Sequence, residues 1–162
     1  VDWGDLDYLV LDLPPGTGDV QLTLVQRIPI SGAIIVTTPQ EVAMADARKG
    51  LKMFQEVKSP VLGIIENMSY FQAPDTGTVY HIFGEGGGKA LAAEGEVELL
   101  GQIPLEPIVR EGSDAGQPIV SSLPESLTAQ AFDDAATRIA MRLAADAVKK
   151  PRKPMLMFKT VR

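Results

Sequence analysis

The sequence contains no cysteine in its 162 residues and only one histidine. The absence of cysteine excludes a disulfide, a thiolate nucleophile, and cysteine ligation of zinc or iron by this chain. No apolar run is long enough to cross a bilayer, and the first residues lack the pattern of a signal peptide. These absences predict a protein of a reducing compartment, which we expect to be the cytoplasm, and predict no membrane span.

The charge is divided unevenly along the chain. All 21 acidic residues lie in residues 1–148, whereas 149–162 hold six of the 15 basic residues. An acidic body predicts no nucleic-acid partner. The basic segment 149–162, which contains Pro151 and Pro154, either binds an acidic partner or is a solvated terminus. We therefore expect one domain over 1–148 followed by a basic, proline-containing tail.

Four short aliphatic runs predict strands at 8–11, 33–36, 61–65 and 99–103. They are continuous rather than alternating, which is typical of parallel strands buried on both faces. Helices are expected between them at 41–57 and 84–94. A long terminal helix should follow a capping box formed by Ser122 and Glu125, with Phe132, Ala136 and Ile139 on its apolar face. The pattern predicts an α/β fold with a doubly wound, mostly parallel sheet and helices on both faces.

A carboxylate and a glycine-rich turn follow the first aliphatic run, in Leu11-Asp12-Leu13-Pro14-Pro15-Gly16-Thr17-Gly18-Asp19. At the carboxyl end of a strand, Asp12 can hold Mg²⁺ beside the phosphates of a nucleotide. The glycines allow backbone amides to approach phosphate oxygens. The alternative from spacing alone is a helix-capping aspartate before a tight turn.

No Gly-x-x-x-x-Gly-Lys-Ser/Thr phosphate-binding loop occurs in these residues. The nearest imitation is Gly84-Glu85-Gly86-Gly87-Gly88-Lys89-Ala90. Its glycine spacing is wrong, and an alanine occupies the position of the magnesium-binding hydroxyl. We interpret this segment as the glycine-rich start of a helix.

Several motifs in a fixed order carry a resemblance to a known family. They are Asp12-Leu13-Pro14-Pro15-Gly16-Thr17-Gly18-Asp19, Thr37-Thr38-Pro39-Gln40-Glu41-Val42-Ala43, Glu66-Asn67-Met68-Ser69-Tyr70-Phe71, Gly101-Gln102-Ile103-Pro104-Leu105 and Arg110-Glu111-Gly112-Ser113-Asp114. Together they closely resemble the Mrp family of iron–sulfur cluster carrier ATPases, within the ParA/MinD group of P-loop ATPases. The resemblance implies a P-loop NTPase domain with an incomplete N-terminal part, whose Walker A loop would lie upstream.

The resemblance assigns roles to particular residues. It implies that Asp12 is the Walker B ligand of Mg²⁺ and that the amide of Gly16 senses the terminal phosphate of ATP. It implies that Asn67 reads the adenine base and that Pro104 and Leu105 form an apolar wall over it. Without the resemblance, Asn67 is a turn residue after a strand, and the loop with Pro104 is ordinary strand-end packing. No catalytic residue is assigned in this stretch.

The cluster-binding cysteines of the resembled family are replaced in this chain. Many members carry a Cys-x-x-Cys pair after the motif that ends at Phe71, and the aligned positions here are Ala73 and Thr76. Neither side chain ligates iron, so no cluster ligands are assigned. Asp75 and His81 offer metal ligands in principle, with a solvated pair as the alternative.

The resemblance implies an ATP-binding and ATP-hydrolysing homodimer that assists the assembly or delivery of iron–sulfur clusters to client or scaffold proteins. Two alternatives stay open. One is a ParA/MinD-like ATP-dependent switch without a cluster, which the missing cysteines favour. The other is a degenerate module that does not bind nucleotide. The 162 residues alone are expected to be inactive.

Overall fold

A computed structural model of the chain describes residues 2–14 and 18–149. The elements in chain order are α1 (Asp19–Arg27), β1 (Ala33–Thr37), α2 (Glu41–Glu56), β2 (Val61–Glu66), β3 (Phe71–Gln72), β4 (Val79–Tyr80), α3 (Gly87–Glu94), β5 (Glu98–Gln102), α4 (Pro107–Asp114), α5 (Ile119–Ser122) and α6 (Leu127–Lys149). Gly16 and residues 150–162 of the predicted tail lie outside the described residues. Among those described, no helix has both the length and the apolar character of a membrane span.

The central sheet is parallel, with β1, β2 and β5 side by side in that order. In the register of the sheet, Thr37 lies opposite Glu66 and Glu66 lies opposite Gln102. Helices α2 and α3 pack against β1 and β2, and α6 packs against β5. The predicted α/β fold with a parallel sheet between helices is confirmed, and three of the four predicted strands form it.

The core lies between the sheet and helices α2 and α3. Leu51 of α2, Ile64 of β2 and Leu91 of α3 are almost completely buried in it. The continuous aliphatic composition is explained by burial on both faces only for β2, in which residues 62–64 are all buried, whereas β1 alternates and its Val36 is 60% exposed. Because β1, β2 and β5 are parallel, their carboxyl ends lie side by side at one edge of the sheet.

The strand predicted at 8–11 is absent. These residues are extended but exposed, and Val10 is 85% exposed. Among the described residues no other strand pairs with them. An aliphatic run forms a parallel strand only when a neighbouring strand satisfies its backbone groups. The apolar pattern is therefore present here without the hydrogen-bonding partner that a strand requires.

Two details of α6 differ from the sequence prediction. The hydroxyl of Ser126, rather than that of Ser122, accepts the hydrogen bond from the N–H of Ala129 at the start of the helix. The buried face presents Ala135 toward the sheet, while Phe132 is exposed. A Cβ on Gly101 of β5 would lie 3.1 Å from the Cβ of Ala135, so the helix approaches the sheet too closely for a large side chain there.

The antiparallel pair of β3 and β4 was not predicted from the sequence. Each strand has two residues, and Phe71 pairs with Tyr80. Strands this short have no detectable periodicity, because a two-residue alternation is not distinguishable from chance. The hairpin nevertheless fixes residues 73–78, the segment that contains the replaced cysteine positions.

An ion pair joins α2 to α3 and makes one pH-dependent contribution to stability. Arg48 Nε donates to Glu94 at 2.7 Å. This hydrogen bond is the main reason that the pKa of Glu94 is lowered; partial burial opposes the effect and the positive charge of Arg48 adds to it. A carboxyl with a lowered pKa stabilises the fold above the pKa that it has in the unfolded chain. That stabilisation is lost as the pH falls through the folded-state pKa.

We expect Glu94→Gln to reduce the melting temperature slightly at about pH 7, because the ion pair is then fully formed in the unsubstituted protein. The difference between the two proteins should shrink as the pH falls through the lowered folded-state pKa of Glu94, and vanish once this carboxyl is protonated in the folded state. Thermal melts followed by circular dichroism across this range measure it. Glu125→Gln is the control, since Glu125 is exposed and forms no ion pair within the described residues. A pH-independent difference for Glu94→Gln would contradict the assignment.

Candidate functional site

The carboxyl ends of the three parallel strands are joined by backbone hydrogen bonds. The N–H of Asn67 donates to the carbonyl of Thr37 at 2.7 Å, linking β2 to β1. The N–H of Ile103 donates to the carbonyl of Glu66 at 2.9 Å, linking β5 to β2. The carboxyl edge of a parallel sheet is where open α/β folds bind ligands. This edge is therefore the candidate site.

Asn67 lies at this edge, in a turn that directly follows β2. Its side-chain oxygen accepts a hydrogen bond from the N–H of Met68 at 3.0 Å, and Met68 has a φ of +53°. Within the described residues its side-chain nitrogen makes no hydrogen bond. The turn interpretation of Asn67 is thus confirmed, and the same geometry leaves a donor available for a ligand.

Pro104 and Leu105 lie beside this turn, in the loop after β5. The N–H of Ser69 donates to the carbonyl of Ile103 at 2.9 Å, and the N–H of Leu105 donates to the carbonyl of Tyr70 at 2.7 Å. Pro104 is buried and Leu105 is half-buried. The structure therefore brings Asn67 and the predicted apolar wall together at adjacent strand ends.

Glu66 is a residue at this edge to which sequence analysis gave no role. Its side chain is fully buried at the last position of β2. The carboxylate accepts hydrogen bonds from Ser69 Oγ at 2.5 Å, from Gln102 Nε2 at 2.9 Å and from the backbone N–H of Gly88. One feature of the sequence could have indicated this role. An acidic residue at the end of a continuous aliphatic run occupies a position that is buried in a parallel sheet.

The glycine-rich segment forms the start of α3, as predicted. Gly86 has a φ of +74° and precedes the helix. A Cβ on Gly87 would lie 3.1 Å from the carbonyl oxygen of Pro39, so the turn packs closely against the end of β1. The N–H of Gly88 is directed at the carboxylate of Glu66. At least this amide of the glycine-rich segment is thus engaged within the protein.

Asp12 lies apart from this arrangement. It is exposed, and no hydrogen bond or ion pair joins it to Asn67, Pro104 or Leu105 in the part of the chain that the structure describes. The residues that follow Asp12 are held against the fold, since Gln21 Nε2 donates to the carbonyl of Pro14 at 2.7 Å and Leu13 packs against the core. The described residues contain no group of three or more metal-ligating side chains.

The turn between β3 and β4 closes through hydrogen bonds of its own. The N–H of Gly77 donates to the carbonyl of Ala73 at 2.8 Å, and the N–H of Ala73 donates to the carbonyl of Thr78 at 2.9 Å. Thr76 Oγ1 accepts from the N–H of Thr78 at 3.3 Å. The two residues at the cysteine positions therefore belong to a self-contained turn, and neither offers a ligand that iron prefers.

His81 lies beside this hairpin and contacts polar groups. Its Nε2 lies 3.7 Å from a carboxylate oxygen of Glu85, and its Nδ1 lies 3.4 Å from the carbonyl oxygen of Ser69. These contacts agree with the polar-pair alternative for His81. They do not include Asp75.

Comparison with known families decides the identity of the chain. The family model of the NUBPL iron-transfer P-loop NTPases, in the ParA group, matches residues 1–140. The chain belongs to this family. The NUBPL-type assignment agrees with the resemblance drawn from the motifs, and it confirms that the α/β fold is of the P-loop NTPase type.

Individual NUBPL-type relatives are similar over most of the chain. An iron–sulfur cluster carrier protein of Synechocystis is 56% identical over 145 residues, which are 89% of this chain and 41% of the relative. The iron–sulfur cluster transfer protein NUBPL of mouse is 53% identical over 143 residues, 88% of this chain and 45% of the relative. The chain thus spans less than half the length of these curated relatives.

Solved structures show the same fold. A nucleotide-binding protein from Archaeoglobus fulgidus in complex with ADP is 41% identical, with a TM-score of 0.63 over 78% of this chain and 54% of that protein. The cell division ATPase MinD of Pyrococcus furiosus is 28% identical, with a TM-score of 0.54 over 68% of this chain and 43% of that protein. Both place this NUBPL-type chain among P-loop ATPase folds.

The close approach of α3 to β2 gives a stability test. A Cβ on Gly88 would lie 2.8 Å from the Cβ of Glu66 and 2.9 Å from its Oε2. We expect Gly88→Ala to lower the free energy of unfolding by about 1–3 kcal/mol, because the new methyl group forces the helix and the carboxylate apart. Urea denaturation measures the change.

Gly50→Ala is the matched control for this substitution. Gly50 lies inside α2, and a Cβ there would meet only the Cδ1 of Ile35, at 3.9 Å. The control should raise the free energy of unfolding by about 0.5–1 kcal/mol through helix propensity. Equal stability of the Gly88→Ala and unsubstituted proteins would contradict the packing described here.

Proposed function

We propose that this chain is part of an ATP-binding and ATP-hydrolysing protein that assists the assembly or delivery of iron–sulfur clusters. The observation that carries the proposal is the adjacency of Asn67 to Pro104 and Leu105 at the strand ends of a chain in the NUBPL family. The similarity to an iron–sulfur cluster carrier protein and to an iron–sulfur cluster transfer protein supports the cluster role. The similarity to the Archaeoglobus protein in complex with ADP supports nucleotide binding.

Asn67 is suited to reading adenine. Its side-chain nitrogen is a donor without a partner in the described residues, and its oxygen has a second lone pair beyond the one used by Met68. Adenine presents an amino donor beside a ring-nitrogen acceptor, which is the complementary pair. Leu105, which is half-buried, offers apolar surface against the face of the base, and the buried Pro104 is assigned to the same wall by the family resemblance.

Asp12 and Gly16 are proposed for the phosphate end of the nucleotide. The exposed carboxylate of Asp12 has no partner among the described residues, and carboxylate oxygens are the ligands that Mg²⁺ prefers. The amide of Gly16, by resemblance, would contact the terminal phosphate. The bound Mg²⁺ would neutralise phosphate charge during transfer to water. The chain's own contribution is to position the metal and the base.

The cluster is cargo in this proposal, and residues 73–78 do not supply its ligands. The self-contained turn at Ala73 and Thr76 supports ligation by groups outside this hairpin. It also favours the second candidate function, an ATP-dependent switch without a cluster. A module that has lost nucleotide binding is the third candidate, and a binding measurement separates it from the others.

The remaining features of the proposal follow from the family resemblance. They are a homodimer and contact with iron–sulfur client or scaffold proteins. The proposed cytoplasmic location comes instead from the lack of cysteine and of a long apolar run in the sequence. The 162 residues alone are proposed to be inactive, because they contain no Walker A sequence. Nucleotide binding and turnover should therefore be measured on the protein expressed from its whole coding sequence.

Substitution of Asp12 tests the ATPase proposal. We expect Asp12→Ala to abolish magnesium-dependent ATP hydrolysis, because the metal loses its carboxylate ligand. Release of inorganic phosphate from MgATP measures the rate. Asp5→Ala is the matched control, since Asp5 is also an exposed aspartate of the N-terminal segment. Unchanged turnover in Asp12→Ala would remove Asp12 from this role, and no nucleotide binding by the unsubstituted protein would favour the degenerate module.

Restoring the cysteine pair tests the account of the cluster. After anaerobic reconstitution with iron and sulfide, we expect the double variant Ala73→Cys/Thr76→Cys to gain visible absorption over the unsubstituted protein, because thiolates replace groups that cannot bind iron. The matched control is Ala73→Ser/Thr76→Ser. No gain would show that the hairpin does not hold the ligand geometry. Absorption in the unsubstituted protein would support a carrier with ligands elsewhere, and its absence would support the switch.

A further inference from the structure

The carboxylate of Glu66 is a buried ionisable group that the proposed function leaves unused. It accepts from a hydroxyl, a side-chain amide and a backbone amide, which belong to Ser69, Gln102 and Gly88. No lysine, arginine or histidine pairs with it within the described residues. A buried carboxylate without a cation is costly unless several donors satisfy it, so the site is built around this group.

Each donor comes from a part of the fold that borders the candidate site. Ser69 belongs to the turn that carries Asn67, Gln102 is the last residue of β5, and Gly88 lies in the first turn of α3. Gln102 Nε2 also donates to Ser69 Oγ at 3.0 Å, which closes a triangle of side-chain contacts. The carboxylate thereby links the turn, the start of the Pro104 loop and a helix.

The turn that carries Asn67 needs such a restraint. Met68 has a φ of +53°, a conformation that costs a non-glycine residue about 1 kcal/mol or more. The hydroxyl of Ser69 is tied to Glu66, and the backbone of Ser69 is tied to Ile103. Asn67 thus lies in a segment whose backbone is held on both sides, by Thr37 and by Ile103. Its side-chain oxygen is held by the N–H of Met68, so the orientation of the amide depends on the geometry of this turn.

We propose that Glu66 is a positioning residue that determines the preference of this site for adenine over guanine. It acts through Ser69 on the turn of Asn67 and through Gln102 on the loop of Pro104. The proposal rests on the function proposed above, because it assumes that Asn67 reads a nucleotide base. Guanine carries an oxygen and a protonated ring nitrogen where adenine carries an amine and an acceptor, so a mobile Asn67 would accept both bases.

Two substitutions loosen the turn without removing Asn67. Ser69→Ala deletes one buried hydroxyl and leaves the backbone contacts in place. Glu66→Gln keeps an acceptor for the N–H of Gly88 and replaces the other oxygen by a donor that opposes Gln102. The protein expressed from its whole coding sequence is titrated with MgATP and MgGTP by calorimetry, and the ratio of the two dissociation constants is compared.

We expect the preference for ATP over GTP to fall about tenfold in Ser69→Ala, which corresponds to about 1.4 kcal/mol. The preference for ATP over GTP should also fall in Glu66→Gln. Ile119→Val is the control, because it removes one methylene from a buried position of α5 and lowers stability without touching the network. If Glu66 had only a structural role, its loss would weaken the binding of both nucleotides equally. The ratio of the two dissociation constants would then be unchanged in all three variants.

Hydrogen exchange gives a second readout that does not depend on nucleotide. In Ser69→Ala, the peptide containing Met68 should exchange faster than in the Ile119→Val control, since the turn loses its tether. An unchanged ratio with unchanged exchange would overturn the positioning role while the nucleotide site stands. If the unsubstituted protein binds neither nucleotide, or binds both equally, the function proposed for Asn67 itself fails, and the role of Glu66 fails with it.

Discussion

At the end of β2, the carboxylate of Glu66 accepts hydrogen bonds from three separate parts of the chain. Its burial is tolerated only because those donors are present, and their positions are fixed in turn by the carboxylate. Gly88 must lack a side chain for the helix to come close enough. The turn after β2, the end of β5 and the start of α3 are all held to this one group.

Much of the sheet could be predicted from the sequence, since continuous aliphatic runs mark buried parallel strands and their carboxyl ends must share one edge. The proximity of Asn67 to Pro104 was expected from the family resemblance, and the parallel order of β2 and β5 explains why these two strand ends are neighbours. The prediction of a strand at 8–11 was wrong. An aliphatic composition indicates that a run is suited to burial, but it does not reveal whether a neighbouring strand is present. No role was predicted for Glu66, because a single acidic residue carries no periodicity that reveals its partners.

The hairpin of β3 and β4 holds its tight turn through the chain's own hydrogen bonds. A Cys-x-x-Cys loop needs a tight turn, and the hydrogen bond from Gly77 to Ala73 supplies one without metal. Thr76 contributes a weak side-chain contact of the kind that threonine commonly makes in turns. This turn is therefore closed by hydrogen bonds of the protein alone, whatever side chains occupy positions 73 and 76.

The segment 8–11 also affects how the chain behaves at high concentration. Its aliphatic side chains are exposed, and among the described residues no strand pairs with it. An exposed aliphatic run with unpaired backbone groups is a template for pairing between molecules. The same residues that make a good buried strand therefore make these 162 residues, produced in isolation, prone to β-type aggregation, and charged substitutions at Val10 offer a direct way to suppress it.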